Sequence, residues 1–454
     1  MLQKNEHYEM TIDDFGSEGE GVGRIDGFAV FVPGAIPRDR IEVRIVKVKR
    51  SFAYGKCMRV IQPSADRADP PCPLFGRCGG CGLLHCRYEA QLAYKRKKIA
   101  DCLTKLGGVE NLPPVEMKGT DKPYGYRNKV LFPVAAGRDG GVQIGFYARR
   151  SHNLFPVEDC CLYHPVNREV VRAVKTFAEE YRIQPYNEAE HRGLLRHIYT
   201  RVSFATGEVM VVLVVNGKEL PHADVLVAAL KAEVPGLSGV LVNRNTERTN
   251  TILGAENRLL YGKETITDCI GPYSFEISPH SFFQVNPIQT EMLYRTALNM
   301  ADIQRGDTVV DAYCGIGTIT LFLAEKADKV YGLESVPQAV ADARRNAARN
   351  GVTNVEFICG EAEGLMMELT EKGLAPDVVL VDPPRRGCGP ELLRAIEQVR
   401  PGKVVYVSCD PATLGRDVKV LGAAGYRVKE VCGVDMFPMT PHVETVVSLQ
   451  RRDT

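Results

Sequence analysis

The chain has 454 residues, 44% of them hydrophobic, with a formal net charge of +1 and 14 cysteines. That length exceeds one ordinary core and implies two or three domains, while the near-zero charge excludes a global basic field for nucleic acid. The opening MLQKNEHYEMTIDDFG lacks a charged-then-apolar leader and no apolar run is long enough to span a bilayer, so the expectation is a cytoplasmic protein whose cysteines are metal ligands, nucleophiles or core filler.

Residues 8–60 alternate apolar and polar positions between Gly, Pro and Asp turns, which predicts a small β-barrel. RIVKVKR (Arg44–Arg50) lies on its last strands, and YKRKK (Tyr94–Lys98) on a helix over about 89–106. A short basic run taken alone is more often a solvated face than a binding patch. Between them QPSADRADPPCP reads as a linker. CPLFGRCGGC then has the spacing C-x5-C-x2-C, Cys72, Cys78 and Cys81, with Gly79 and Gly80 freeing the loop to wrap a metal. Zinc and iron–sulfur centres both accept thiolates, and locally Cys86 is the obvious fourth ligand. PYGYRNKVLFPV (Pro123–Val134) interleaves Tyr124 and Tyr126 with Arg127, Asn128 and Lys129, a pattern that suits stacking on a single-stranded base and holding its phosphates. The alternative is a hairpin with core tyrosines.

Residues 115–270 mix strands and helices. From about 290 strand and helix alternate strictly, through TVVDAY, KVYGLE, NVEFIC, DVVLVD, KVVYVSC and VVSLQ, which predicts a doubly wound parallel sheet. In VVDAYCGIGTITLFLAEKA, Asp311 ends the first strand and Gly315 and Gly317 open a helix; Glu334 closes the next strand 23 residues after Asp311, where a carboxylate can hold ribose hydroxyls. The third glycine of a dinucleotide loop is missing, and an acidic residue before the loop disfavours phosphate. S-adenosylmethionine fits, with Glu361 placed toward its adenine. DVVLVDPPRRG sets a rigid Asp382-Pro-Pro loop beside the donor. Related loops that methylate exocyclic nitrogens end in an aromatic residue; Arg385 stands there instead and could serve a phosphate.

VVYVSCDPATLGRD carries Cys409 at the exit of a strand. Beside a methyl donor this thiol has a use: carbon 5 of uracil becomes nucleophilic once a thiolate adds to carbon 6, and a base must later take the carbon 5 proton. In DMFPMTPHVETVVSL, Glu444 and His442 are the candidates, and Glu444 is the expected base.

SFFQVN, DAYCGIGT, DPPRRGC, YVSCDPATLGRD and DMFPMTPHVE resemble the signatures of the RNA uracil-5-methyltransferases, over nearly the whole chain. Within them the chain looks like the bacterial 23S ribosomal RNA type, with an amino-terminal TRAM domain and an iron–sulfur cluster. Thr318 replaces the Asn of some members and Gly415 a common Ala. The resemblance implies Cys409 as nucleophile, Glu444 as base, and cofactor contacts from Gln284, Tyr313, Glu334 and Asp382, to which the reading of the loop and strand ends adds Gly315, Gly317, Thr318 and Glu361. It also implies a [4Fe-4S] cluster on Cys72, Cys78, Cys81 and a distant cysteine in VEDCCLYHP, Cys160 rather than Cys161; the RNA contacts expected from the interleaved pattern are Arg127, Asn128 and Lys129. Radical chemistry is disfavoured because the spacing is not C-x3-C-x2-C.

The expected fold is α/β. A Rossmann-like S-adenosylmethionine-dependent methyltransferase domain (271–454) follows an OB-like TRAM barrel (1–62) and a mixed α/β central iron–sulfur domain (63–270), part of 90–125 packing with the catalytic domain. The expected chain is a monomer that binds RNA and no membrane. Its substrate would be a loop of 23S ribosomal RNA, because transfer RNA enzymes of this chemistry generally lack the cluster and the TRAM domain; transfer RNA is the alternative substrate. The rivals are RNA cytosine-5 methylation, which typically needs a second thiol in the Asp-x-Pro-Cys position, and a non-catalytic RNA-binding or ribosome-assembly factor.

Overall fold

The computed structural model describes residues 2–137, 140–149 and 151–452. Strands β1 (His7–Phe15), β2 (Gly21–Ile25), β3 (Phe28–Val32), β4 (Arg40–Val48) and β5 (Phe52–Gln62) close a barrel in the order β1-β2-β3-β5-β4. Alternation does the work: Met10, Ile12, Val30, Val32, Ile41, Val43, Ile45 and Ala53 fill the interior. The linker is tied down, because Asp39 accepts from Ser64 N (2.9 Å) and forms a two-pronged bond with Arg67 (2.9 and 2.7 Å).

Helix α1 (Tyr88–Asp101) runs into a π-helical turn, Cys102–Leu106, and then strand β6 (Val115–Lys118). Strands β7 (Lys129–Ala136), β8 (Val142–Tyr147) and β9 (Leu154–Pro156), helix α2 (Asn167–Glu180), strands β10 (Leu195–Val202) and β11 (Val209–Val215), helix α3 (Ala223–Glu233), and strands β12 (Leu237–Arg244) and β13 (Glu256–Gly262) follow. They make a seven-stranded sheet, β13-β12-β11-β10-β7-β8-β9. VMVVLVV of β11 is wholly buried because both sheet faces are covered, one by α2 and α3 and the other by the catalytic domain.

A short hairpin, β14 (Ile266–Ile270) and β15 (Tyr273–Ile277), and helix α4 (Pro287–Ala301) lead into the catalytic sheet. There β16 (Thr308–Ala312), α5 (Thr318–Leu323), β17 (Lys329–Glu334), α6 (Pro337–Arg349), β18 (Val355–Cys359), α7 (Ala362–Glu371), β19 (Val378–Val381), α8 (Pro390–Val399), β20 (Lys403–Ser408), α9 (Pro411–Ala423), β21 (Tyr426–Val434) and β22 (Glu444–Arg451) alternate. Strand order is β18-β17-β16-β19-β20-β22-β21-β6. All six strands expected from the sequence are present. The order reverses between β16 and β19, and the crevice outside the carboxyl ends of such strands is where ligands bind. Strand β6 joins this sheet in parallel with β21, so the chain ahead of the central sheet is stitched to the catalytic one.

Candidate active site

The loop after β16 is shaped by hydrogen bonds to β17. Tyr313 N and Cys314 N both donate to Leu333 O (3.0 and 3.1 Å), and Tyr313 adopts φ 68°. Gly315 (φ 56°) has open space where a Cβ would stand, so a ligand can approach its backbone. At Gly317 (φ 82°) a Cβ would strike the Phe357 ring at 2.9 Å, so glycine is needed there for packing as well. Glu334 is spent in part on the loop itself: it accepts from Gly315 N (3.1 Å) and Val336 N (2.9 Å). Thr318 Oγ1 bonds the Tyr294 hydroxyl (2.9 Å). Asp311 is fully buried; one oxygen accepts from Thr320 Oγ1 (2.5 Å) and the other has no partner among the described residues. Burial raises its carboxyl to about 8 and that of Asp382, on the next strand's exit, to about 7. An unpartnered carboxyl oxygen, a glycine cradle and no basic side chain among these residues fit a cationic nucleoside such as S-adenosylmethionine. Glu361 stands exposed at the start of α7 and makes no capping bond.

Gln284 lies on the loop between β15 and α4, pinned from both sides. Tyr199 OH donates to Pro279 O (3.1 Å), Arg201 to Ser281 O, and Asn286 Nδ2 to Met436 O (3.1 Å). Asn128 donates its backbone N to Val285 O and its Nδ2 to Gln284 O (2.9 Å each). Asn128 is thus buried, its amide nitrogen building the loop that carries Gln284 while its Oδ1 has no partner among the described residues. Next to Gln284, Phe282 is 69% exposed while Phe283 is buried.

Strands β20 and β22 are antiparallel with Ser408 opposite Thr445, and one more step of that register sets Cys409 opposite Glu444. Asp410 turns the chain away, its Oδ1 capping α9 at Ala412 N (2.8 Å) and Thr413 N (3.2 Å), with Pro411 at the first helical position. Glu444 is 3% exposed, and burial with the Asp382 charge raises its carboxyl to about 8. Cys409 is half-buried; burial first, then the Glu444 and Asp382 charges, push its thiol up to about 12, while Arg385 pulls it down. Desolvation, then the Arg385 charge, pushes the His442 ring below the usual imidazole range, and it stands edge-on to Phe437.

The loop between β21 and β22 is strapped in place. Lys95 and Asp435, both fully buried, form an ion pair, and Lys95 Nζ also donates to Phe437 O (3.1 Å). Gln289 Nε2 donates to Asp435 O (3.1 Å), Met439 N to Gln91 Oε1 (3.0 Å), and Lys98 Nζ to both Ser17 O (2.8 Å) and Pro441 O (3.1 Å). The YKRKK run is therefore not a solvated face throughout. Helical spacing was the signal: Gln91, Tyr94, Lys95 and Ile99 share the buried side of α1.

Cys72, Cys78, Cys81, Cys160 and Cys161 line one cavity of about 380 Å³, together with Arg127 and Lys129. Cys86 is elsewhere, bridged to Arg67 beside Asp66. The neighbouring Cys161 pulls the Cys160 thiol below the usual range. Among the described residues no three His, Cys, Asp or Glu side chains gather as a single metal ion would need. A multi-iron cluster spaces its thiolates more widely than one ion does, and the shared cavity suits that. Burial and the neighbouring arginines lower Lys129 to about 8.

Known proteins share this architecture. Residues 241–452 match the tRNA (uracil-5-)-methyltransferase family and residues 2–58 the TRAM domain. An uncharacterized RNA methyltransferase of Clostridium tetani is 47% identical over 446 residues, 98% of this chain and 96% of that one. The chain belongs to the RNA (uracil-5-)-methyltransferase family. A further member, an uncharacterized RNA methyltransferase of Caldanaerobacter subterraneus, is 48% identical over 447 residues, 98% of each chain. Among solved structures, the Pyrococcus abyssi tRNA (uracil-54, C5)-methyltransferase in complex with S-adenosyl-L-homocysteine aligns with a TM-score of 0.77 and 29% identity, over 97% of this chain and 100% of that one. The protein is an S-adenosylmethionine-dependent RNA methyltransferase with a TRAM domain. Among the described residues no helix is long and apolar enough to cross a membrane.

Proposed function

We propose that this enzyme methylates carbon 5 of a specific uridine, in a loop of 23S ribosomal RNA, through a covalent Cys409–uracil adduct. The observation that carries the reading is the pairing of Cys409 and Glu444 across two strand ends, beside the Asp382 loop of the cofactor crevice. Asp382, Gln284, Tyr313, Gly315, Gly317, Thr318, Glu334 and Glu361 would hold S-adenosylmethionine, which when bound supplies the methyl group. Half-buried Cys409 passes its proton to solvent before attack, since Glu444 must be ionised for its later step. Its sulfur then bonds to carbon 6 and the ring electrons move onto carbon 5 and its carbonyl. After transfer, ionised Glu444 takes the carbon 5 proton, and the electrons of that C–H bond expel the thiolate. The buried loop keeps water from Glu444. The DPPR loop offers no second thiol at the cytosine-type position, which favours uracil.

Cys72, Cys78, Cys81 and Cys160 would hold a [4Fe-4S] cluster that ties the cysteine loop to the central domain, with Arg127 and Lys129 at its edge for RNA phosphates. A second reading has a specific observation behind it. The likeness to a transfer RNA enzyme spans 97% of this chain, barrel included, so domain content no longer separates the two substrates. Methyl transfer from labelled S-adenosylmethionine to unmodified 23S ribosomal RNA and to transfer RNA, with wild type and Cys409→Ala in parallel, decides both points. 5-Methyluridine in ribosomal RNA from the wild type alone is the expected result. Label in transfer RNA only moves the substrate, label in cytosine replaces the chemistry, and equal activity of the variant removes the adduct.

A further inference from the structure

The seven-stranded sheet turns Leu195, Ile198 and Val202 of β10 toward α2 and α3, and Tyr199 toward the catalytic domain. Along β10 that second face continues past Tyr199 into a cleft of about 900 Å³, floored by Leu131 and Pro133 of β7. The β10–β11 pairing slips here: Leu195 faces Val215 and His197 faces Val214, leaving Arg196 as an extra residue. A bulge of this kind re-aims a side chain that strict alternation would send to the other face. As a result Arg196 and His197 both line the cleft instead of straddling the sheet.

Arg196 is 5% exposed. Its Nη1 donates to Asn245 O (2.7 Å) and Glu247 O (2.9 Å), and its guanidinium lies 4.3 Å over the Tyr186 ring. Its Nε, however, has no partner among the described residues, and neither does the buried Nδ1 of His197. Two adjacent unsatisfied buried groups in one cleft point to a partner that carries acceptors or donors of its own. Tyr186, fixed by a 2.7 Å bond from its hydroxyl to His191, also lines the cleft.

We propose that this cleft is a second RNA subsite, taking one nucleotide from the single-stranded segment beside the target uridine, its base stacked on Tyr186 and hydrogen-bonded by Arg196 and His197. The volume lies in the range of small-ligand sites. Reach fits too. The Tyr199 hydroxyl touches Pro279, on the loop that carries Gln284, and His197 is two residues further along β10, about 7 Å at strand rise. Burial keeps His197 neutral, pushed down to about 4, which suits the edge of a base better than a phosphate.

The inference rests on the uridine reading for the presence of RNA in the neighbouring site, so the test separates the two. Full-length wild type, Tyr186→Ala and His197→Ala are assayed on unmodified 23S ribosomal RNA and on transfer RNA, and their binding of a mixed-sequence single-stranded RNA is measured by fluorescence anisotropy. Each variant is expected to raise KM for RNA and the anisotropy Kd by about tenfold, the loss of one stacked base, with kcat within about twofold. S-adenosylhomocysteine affinity stays at the wild-type value and reports folding; if one variant loses it, the other carries the comparison. Wild-type KM and Kd in the folded variants, or a fall in kcat alone, overturns the subsite. If the wild type makes no 5-methyluridine, the uridine reading falls by itself, and the anisotropy comparison still decides the cleft.

Discussion

A carboxyl group that must take a proton from carbon is helped by being a stronger base than a solvated carboxylate. Burial gives Glu444 that property, near 8, and the same enclosure with two acidic neighbours leaves the Cys409 thiol near 12 in the free enzyme. In the proposed mechanism both act deprotonated, so kcat/KM should climb with pH through about 8 and go on climbing, as a single-turnover pH profile would show; a fall above pH 7 contradicts this order. Glu444→Gln removes one of the charges that raise the thiol. Cys409 in that variant should be alkylated faster by iodoacetamide than in wild type at the same pH, and RNA should stay attached to the protein on a denaturing gel. Slower alkylation would mean that Glu444 activates the thiol rather than opposing it. The linkage sign follows as well. Asp311 and Glu444 are raised in the folded state, which therefore holds protons that the unfolded chain releases, so this contribution to stability is complete below about pH 4 and is lost as pH rises through 8. Phe282 is a different kind of residue, an exposed ring beside Gln284 with no folding benefit to show for it. Phe282→Ala is expected to lower kcat/KM for RNA by about tenfold through a lost stack and to leave the melting temperature unchanged; a wild-type kcat/KM would make the ring incidental.

At the scale of elements, the strap between α1 and the loop before β22 is what fixes Glu444. Removing Lys95 alone strands the buried Asp435 charge, at about 3–5 kcal/mol. Lys95→Met should therefore unfold at much lower denaturant, and Lys95→Met/Asp435→Leu should recover most of that loss. The double variant still lacks the Lys95 bond to Phe437 O, so its kcat should remain below wild type although its midpoint returns. Full activity in the stable double variant would show that the pair serves folding only. This strap also marks where sequence reading stopped. The strands and the glycine loop were legible because β-branched runs, turn residues and spacing are local signals, whereas the register that opposes Cys409 and Glu444 was not, since it depends on β22 pairing antiparallel with β20 in a sheet expected to be parallel. Lys95 was not, since a lysine in a basic run looks solvated until its helical face is matched to a partner 340 residues away. The burial of Asn128 was hidden in the same way: a polar residue between basic ones says nothing of the carbonyl it holds.

The whole molecule meets at residues 438–441. A Cβ at Gly19 of the barrel would stand 3.3 Å from Pro441, Leu83 N donates to Met439 O (3.0 Å), and Tyr126 OH donates to Pro438 O (3.1 Å). Met439, in the left-handed region at φ 68°, is buried with Leu84, Tyr126 and Leu162, and Cys72, Cys81, Cys160 and Cys161 pack against that same group. A strained residue persists only where its surroundings over-determine it, and here the cysteine loop is part of those surroundings. Losing the proposed cluster should then act on Glu444 through the loop and not on the crevice between β16 and β19, which shares no residue with the cysteine cavity. For Cys81→Ser, iron and acid-labile sulfide should disappear together from the purified protein, methyl transfer should fall by more than about tenfold, and S-adenosylhomocysteine should bind as to wild type, because a misplaced catalytic group costs rate before it costs cofactor affinity. Iron-free protein with full methyl transfer would uncouple the cluster from the base. Equal loss of cofactor binding would mean that the cysteine loop holds up the whole catalytic domain rather than the strap that ends at Glu444.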